Sequence, residues 1–487
     1  MTNRPSPSAF DLRSLYNATG PEALSLHERY INPAYAAVLK TIGFDALYER
    51  AEGPYLFDRA GNRYIDCLGG YAVFACGRNH PVLQDAIRQY LNLNSPNLPG
   101  IGTFRLAGVL ARELTRIMPG GDSTDGLSNA FFTSAGGEAM DAAIKMARAA
   151  TGRSRIVYCS RAYHGLTLGA LALNGNHEFR EGFGPLMPGA AEIPFNDLAA
   201  LERELAAGDV AAFVVEPIQG KGVHVPHGDY LREAARLCGK HGALLAIDEV
   251  QTGLGRTGRW FACEHDGAGQ SWMPDMVIIA KALSGGFAPV GAVMTRPAIH
   301  AKVFASMQQC ARIQTTFGMN DLSMVAGLAT LHVIREERLI ENAARVGARL
   351  AEGLRTAMAG MELFKEVRGR GLMLAVEFQR PRSLTLKAQW DLLHKMDASL
   401  FCQAILMPMM SEHRVLAQVA GHAQDVIKLI PPLVLSERDA DDVTHAMSSA
   451  AAACHKLTGP AWEVGRKLGA AALRRFGMGR PTEPATA

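Results

Sequence analysis

The sequence lacks the features that mark membrane-spanning, exported or disulfide-bonded proteins. No apolar run approaches the length of a membrane-spanning helix, and residues 1–14 contain no apolar core typical of a signal peptide. The eight cysteines include no CxxC pair and no zinc-ligand spacing with a histidine. We therefore expect buried free thiols, no metal site and a cytoplasmic protein.

The chain also lacks a strong excess of charge of one sign. Its formal net charge is +3 over 487 residues, which is too small a bias to argue for a nucleic-acid partner. The hydrophobic share of 48% and the charged share of 20% are ordinary for a globular enzyme. The length is ample for a large core and predicts more than one domain.

The apolar pattern alternates between strand and amphipathic helix from about residue 95 to 330. This alternation predicts an α/β fold, with a mostly parallel central sheet and helices on both faces. Near the N-terminus, Tyr55–Asp58 and Arg63–Asp66 flank a Gly-Asn turn signal and predict a hairpin.

After residue 331 helices dominate, and strands return at 372–378 and 426–430. We expect a smaller α+β domain built from both chain ends. The predicted units are a mobile segment at 1–25, small-domain parts at 26–94 and 331–457, a large domain at 95–330, and a tail at 458–487.

Two apolar runs in the stretch 243–286, at 244–247 and 276–280, have the pattern of buried parallel strands. The first is followed by Asp248 and the second by Lys281. The carboxyl ends of parallel strands face one crevice, where ligands bind in open α/β sheets. A lysine can form a Schiff base with an aldehyde, and a buried carboxylate can keep a pyridine nitrogen protonated. The pair therefore predicts a pyridoxal 5′-phosphate site; taken alone, it would also fit a structural ion pair.

The neighbouring motifs favour the cofactor site over the ion pair. The segments DEVQTGLGRTG (248–258) and PDMVIIAKALSGG (274–286) resemble those of the class III aminotransferases, which have fold type I of the pyridoxal-phosphate enzymes. Further matching segments follow the same order along residues 25 to 455: FFTSAGGEAMDAAIKMAR (131–148), AYHG (162–165), VVEPIQG (214–220), TTFGMND (315–321), VRGRGLM (367–373) and IKLIPPLVL (427–435).

The resemblance implies a role for each residue around the cofactor ring. Lys281 would carry the cofactor and move protons as general base and acid, while Asp248 would hold the ring nitrogen. Tyr163 would stack on the ring, Val250 would pack under it, and Gln251 would reach the phenolic oxygen. Glu216 would orient the site or bind a substrate amine, unless it is structural. His164 is a further cofactor-binding candidate, although a lone histidine is often structural.

The phosphate is expected where a glycine turn enters a helix predicted at 139–149. Ser134, Ala135, Gly136 and Gly137 form this turn, whose free backbone N–H groups would bind an anion. The family usually has Asn-Ser-Gly here, so Ala135 removes one hydroxyl. Thr316 matches a family threonine that contacts the phosphate from the neighbouring subunit, which implies a homodimer with shared active sites.

The substrate is less well defined by the sequence. Many relatives that bind an amino-acid carboxylate have an arginine before the PPL segment, whereas this chain has Lys428. Either Arg414 or Arg368 replaces the arginine, or the donor needs no tight carboxylate grip. Alternatively, Lys428 faces solvent and carries no information about the substrate. Tyr71, Val73 and Phe74 are candidate substrate-pocket residues that could equally belong to the core.

The chain most resembles a subgroup that includes putrescine-type aminotransferases and the aminotransferase of hopanoid synthesis. The second would give aminobacteriohopanetriol by a ping-pong exchange of an amine with an oxo substrate. Residues 461–476 predict a basic amphipathic helix that either contacts an anionic inner-membrane surface or packs on the enzyme body; we favour packing. The rival classes are a same-fold mutase or decarboxylase, a cofactor-binding regulator without catalysis, and a membrane-associated scaffold.

Overall fold

The computed structural model describes residues 10–121, 123–267, 272–421 and 423–455. The amphipathic tail predicted at 461–476 therefore lies outside the described residues. In chain order, the strands are β1 (Tyr48–Glu52), β2 (Tyr55–Asp58), β3 (Arg63–Asp66), β4 (Asn129–Thr133), β5 (Arg155–Cys159), β6 (Ala190–Ile193), β7 (Val210–Val215), β8 (Leu244–Asp248), β9 (Met276–Ile279), β10 (Gly291–Thr295), β11 (Phe364–Arg370), β12 (Met373–Phe378), β13 (Val415–Leu416), β14 (Gln418–Ala420) and β15 (Val426–Leu429).

Helices surround these strands, and 3-10 turns lie at Gly20–Glu22, Ala262–His265 and Lys281–Ser284. The α-helices are α1 (Leu12–Thr19), α2 (Ala23–Tyr30), α3 (Pro33–Ile42), α4 (Gly69–Ala72), α5 (Pro81–Asn92), α6 (Arg105–Ile117), α7 (Gly136–Thr151), α8 (Leu168–Ala172), α9 (His177–Arg180), α10 (Leu198–Leu205), α11 (Tyr230–His241), α12 (Pro297–Val303), α13 (Asp321–Glu336), α14 (Leu339–Met358), α15 (Leu384–Met396), α16 (Leu400–Ser411) and α17 (Glu437–Ala453).

The central sheet has seven strands in the order β4-β10-β9-β8-β7-β5-β6. The run β9-β8-β7-β5-β6 is parallel, and β10 is antiparallel to both of its neighbours. Every residue of β7 is buried, as expected for a strand covered on both faces. Apolar side chains of α7 pack on one face, and those of α10 and α11 belong to the core on the other. The predicted α/β fold with a mostly parallel sheet is confirmed.

Two four-stranded sheets lie outside the central one, in the orders β1-β2-β3-β13 and β11-β12-β15-β14. The predicted hairpin is present as β2 and β3, and β13 pairs in parallel with β3. This pairing joins the two ends of the chain in one sheet. The domain boundaries remain predictions, and the one at residue 330 falls inside α13.

One local expectation differs from the structure. The helix predicted from residue 139 begins at Gly136, so the two glycines form its first turn instead of preceding it. The described part of the segment predicted to be mobile contains α1 and the start of α2, and Asp11 caps α1 by accepting a 3.0 Å hydrogen bond from Ser14 N. The mobility of this segment remains a prediction. The free thiols include Cys67, Cys76, Cys159, Cys238, Cys263, Cys310 and Cys402, and all eight cysteines except Cys310 are buried. In the described ranges, no helix has the length and apolarity needed to cross a membrane.

Candidate active site

A cavity of about 1110 Å³ opens at the carboxyl-end edge of the parallel strands. Because β5, β7, β8 and β9 run in the same direction, the residues that end or follow them meet at this edge. The cavity brings together five predicted side chains that are far apart in sequence: Tyr163, Glu216, Asp248, Lys281 and Lys428.

Asp248 is held in a fixed orientation at the end of β8. One carboxylate oxygen lies 2.7 Å from His164 Nδ1, and the other accepts a 3.0 Å hydrogen bond from Val250 N. Both side chains are buried. Burial alone would lower the pKa of His164, but the hydrogen bond and charge of Asp248 outweigh it, so the His164 pKa is raised. The histidine therefore supports a negative charge on Asp248.

Lys281 follows β9 and begins a 3-10 turn with a φ of 42°, a left-handed value that is unusual for a residue with a side chain. This turn directs the amine into the cavity, among protein atoms. Burial lowers the pKa of Lys281, while the charges of Asp248 and Glu216 act in the opposite direction. A lowered pKa increases the fraction of neutral amine, the form that acts as nucleophile and base.

Glu216 follows β7 and joins two loops. Its oxygens accept hydrogen bonds from Tyr163 N at 2.9 Å and from Gly220 N at 2.7 Å. Burial, with a further contribution from Asp248, raises the pKa of Glu216 to about 7, although His164 and the two N–H groups oppose the shift. Glu216 therefore positions the segment that carries Tyr163 instead of pointing freely into the cavity.

The N-terminus of α7 forms one wall of the cavity. Ala135 occupies the position before the helix in an extended conformation, and the Ser134 N–H donates to Glu138 Oε2 at 2.7 Å. The loop after Tyr163 approaches closely, because a Cβ atom on Gly165 would lie 2.9 Å from Gly137 Cα. The backbone N–H groups of the first turn have no partner inside the helix, so this end is suited to bind an anion.

Lys428 does not face solvent, which excludes the interpretation that its side chain is simply exposed. It lies on β15 with 4% of its surface exposed, and its Nζ donates to Gly220 O at 2.8 Å and to Gln251 Oε1 at 3.5 Å. Burial and the nearby Lys281 lower the Lys428 pKa to about 7, against the effect of Glu216. Gln251 in turn donates to Tyr71 O at 3.3 Å, so it links both ends of the chain across the cavity.

Other predicted residues do not line the cavity of this single chain. Thr316 is exposed in the loop before α13. Phe74 is not among the residues that line the cavity, and its ring lies next to Gly286, which does line it. The guanidinium carbon of Arg78 lies 3.9 Å from the centre of that ring. Arg414 is exposed, and Arg368 instead donates to Gly222 O. Neither arginine supplies a carboxylate clamp inside the cavity described here, and the assigned roles of these residues remain predictions.

The structure also adds cavity residues that sequence reasoning missed. Glu178 and Phe179 on α9, Lys221 after β7, and Ser284 line the cavity. Lys221 directly follows the VVEPIQG segment, so its place next to a site motif was a signal in the sequence. The α9 residues carry no motif, since only the fold brings them to the crevice.

A family model described as aminotransferase class-III matches residues 37–451. The chain belongs to the class III aminotransferases. It is 32% identical to aminotransferase PigE of Serratia sp. (strain ATCC 39006), a match that covers 90% of this chain and 54% of PigE. It is 38% identical to the putrescine aminotransferase of Pectobacterium atrosepticum over 74% of this chain and 78% of that protein.

Solved structures agree with this assignment. The ornithine aminotransferase of Toxoplasma gondii ME49 superposes with a TM-score of 0.78 and 28% identity, covering 92% of this chain and 99% of that one. This class III aminotransferase therefore has fold type I and depends on pyridoxal 5′-phosphate, as the sequence predicted.

The residues present fit that cofactor. The helix N-terminus offers N–H groups for a phosphate, Asp248 offers a buried carboxylate for a ring nitrogen, and Lys281 offers an amine for an aldehyde. All three lie on one cavity, and two neighbouring strand ends hold the carboxylate and the amine on rigid elements. The class III assignment and the geometry thus agree, while the role of each residue remains a proposal.

Proposed function

We propose that this aminotransferase takes its amino group from an amine donor that needs no arginine clamp on an α-carboxylate. The observation that carries the proposal is the place of Lys428. Lys428 lies in the cavity wall, and none of the described residues lining the cavity is an arginine. A lysine provides a point charge, whereas arginine binds a carboxylate through two parallel hydrogen bonds. The likeness to a putrescine aminotransferase supports the same donor class.

Each residue of the site has a task in the proposed reaction. Bound pyridoxal phosphate supplies an electron sink that stabilises negative charge on the substrate carbon. The α7 N-terminus binds the phosphate, and Asp248, held by His164 and Val250, keeps a proton on the ring nitrogen. Lys281 Nζ, once free, takes the proton from the substrate carbon and returns it during product formation.

The loops around the cavity exclude water and fix the ring. Glu216 holds the backbone of Tyr163, whose ring would stack on the cofactor ring, and Gly165 brings this loop against the first turn of α7. The exchange ends when an oxo acceptor takes the amino group. We propose a ping-pong order, in which the donor and the acceptor use this cavity in turn.

The donor class is tested by absorbance spectroscopy of the cofactor-loaded protein. Putrescine is expected to deplete the band of the lysine-bound cofactor, and glutamate at the same concentration is expected to leave it unchanged. Ornithine and a simple aminopolyol extend the series, and Lys281→Ala serves as the variant without the covalent link. Depletion by glutamate alone would show that a carboxylate grip exists, and the proposal would be wrong.

A role in hopanoid synthesis, with an aminopolyol lipid as the product, is our second proposal. It is supported by the sequence resemblance and by the basic amphipathic pattern at 461–476. The test is co-sedimentation with anionic vesicles of the full chain and of a chain without residues 458–487. The proposal requires binding by the full chain and loss of binding on truncation; equal failure of both proteins would remove its physical support.

We also propose that the protein is a cytoplasmic homodimer in which Thr316 contacts the phosphate of the partner subunit's cofactor. Thr316 is exposed, and the neighbouring Phe317 and Met307 leave 61% and 89% of their surfaces open to solvent in the single chain. Sedimentation analysis should give a dimer, and Thr316→Ala should weaken cofactor binding more than Thr315→Ala. A fully active monomer would contradict this proposal.

A further inference from the structure

An ion pair lies in the cavity wall and is formed by residues to which no cofactor role is assigned. Glu178 on α9 and Lys221 after β7 both line the cavity, and the Lys221 ammonium is paired with the Glu178 carboxylate. The same ammonium lies 5.3 Å from the centre of the Phe179 ring, and that ring meets Tyr163 edge-on at 5.6 Å between centroids. A carboxylate and an aromatic face therefore surround one alkylammonium group.

The other carboxylates on the cavity wall are already engaged. Glu216 accepts hydrogen bonds from two backbone N–H groups, and Asp248 contacts His164 and the Val250 N–H. Both are also buried, whereas the Glu178 side chain is 55% exposed. Glu178 is thus the carboxylate of the described wall that an incoming cation can reach without dismantling the site.

Resting on the proposed amine donor, we propose that Glu178 and the Phe179 ring form a subsite for the distal ammonium group of a diamine. Lys221 occupies this subsite with its own ammonium when no diamine is bound. The two groups are chemically alike, because each is a primary ammonium on a methylene chain. One amine of the diamine then reacts at Lys281, while the other is held by Glu178.

Replacing the Lys221 ammonium at Glu178 by the ammonium of a diamine costs little free energy. The Lys221–Glu178 pair is partly exposed to solvent, and such pairs contribute little to stability. Lys221 has a flexible side chain that can turn to water when a diamine enters. The pair therefore lowers diamine affinity modestly, and it gives the Glu178 carboxylate a cationic partner in the free enzyme.

The test compares putrescine with butylamine, which has the same carbon chain and lacks the second ammonium. Glu178→Gln should lower the putrescine-to-butylamine ratio of kcat/KM by about tenfold, as expected for loss of a charge-assisted contact. Lys221→Met, which keeps the apolar stem, should raise the ratio by about threefold. The matched control Glu181→Gln removes the same charge from a neighbouring exposed position that does not line the cavity, and should leave the ratio unchanged.

Calorimetric binding of putrescine to the cofactor-loaded protein separates this proposal from the proposed function. Binding that depends on Glu178 without turnover would support the subsite and contradict putrescine as donor. Turnover with equal ratios in wild type and Glu178→Gln would support the donor class and overturn the subsite. A ratio that falls in Lys221→Met, or putrescine that binds no more tightly than butylamine, would also overturn it.

Discussion

Replacing Lys428 by methionine should stabilise the protein most at low pH. In the folded chain, burial lowers the Lys428 pKa from 10.5 to about 7, so a positive charge on this side chain opposes folding. Below pH 7 the lysine is charged in both the folded and the unfolded chain, and the whole cost is present. Between pH 7 and 10.5 the folded chain releases the proton while the unfolded chain keeps it, so stability rises with pH.

The size of the effect follows from the two pKa values. The shift corresponds to a full cost of about 5 kcal/mol, of which about 2–3 kcal/mol is relieved between pH 6 and pH 9. The Lys428→Met variant lacks this titration. Its gain in free energy of unfolding over wild type should therefore be about 2–3 kcal/mol larger at pH 6 than at pH 9. The variant also loses the hydrogen bond from Lys428 Nζ to Gly220 O, which reduces its gain in stability.

The assay is urea unfolding of cofactor-free protein at the two pH values, followed by tryptophan fluorescence. Glu216 also titrates near pH 7, but it is present in both proteins and is largely removed by the comparison. Lys302→Met is the control, because Lys302 is exposed on α12 and its charge remains in water. An equal stability gain of Lys428→Met at both pH values would refute the reasoning.

Three further predictions concern the cofactor site. Asp248→Asn removes the charge next to His164 and should lower kcat roughly a hundredfold or more, without loss of fold by circular dichroism. Ala135→Ser adds a hydroxyl at an extended position before α7 and should lower the cofactor dissociation constant about threefold to tenfold in a fluorescence titration; no change would argue against a phosphate there. Gly165→Ala places a methyl group 2.9 Å from Gly137 Cα, at a residue whose φ is 122°. This variant should raise the cofactor dissociation constant at least tenfold, whereas Gly182→Ala should not.

The strand ends were predictable from the sequence because their physical signal is local. An apolar run that stops at a charged residue indicates a buried strand whose end faces a crevice. This pattern predicted that Asp248 and Lys281 lie on the same cavity, as they do. The start of α7 was predicted three residues late, because two glycines read as a turn although their backbone fits a first helical turn.

Other site features depend on contacts between distant parts of the chain. The burial of Lys428 arises only when β15 brings it to Gly220 and Gln251, 208 and 177 residues away along the chain. Glu178 lies on a four-residue helix without any periodic pattern, so its position in the cavity follows from tertiary structure. The exposed position of Thr316 reflects a single chain, and the sequence-based dimer prediction concerns a surface that another subunit would cover.

The left-handed backbone at Lys281 lowers the stability of the fold at the same residue that we assign to the reaction. A φ of 42° costs a residue with a side chain about 1 kcal/mol relative to glycine, and its amine is also partly withdrawn from water. A stability-guided redesign would therefore choose glycine or asparagine at position 281 and obtain a more stable protein that lacks the amine we assign to the cofactor link. Ranking variants by folding free energy alone would thus discard the amine around which the crevice is built.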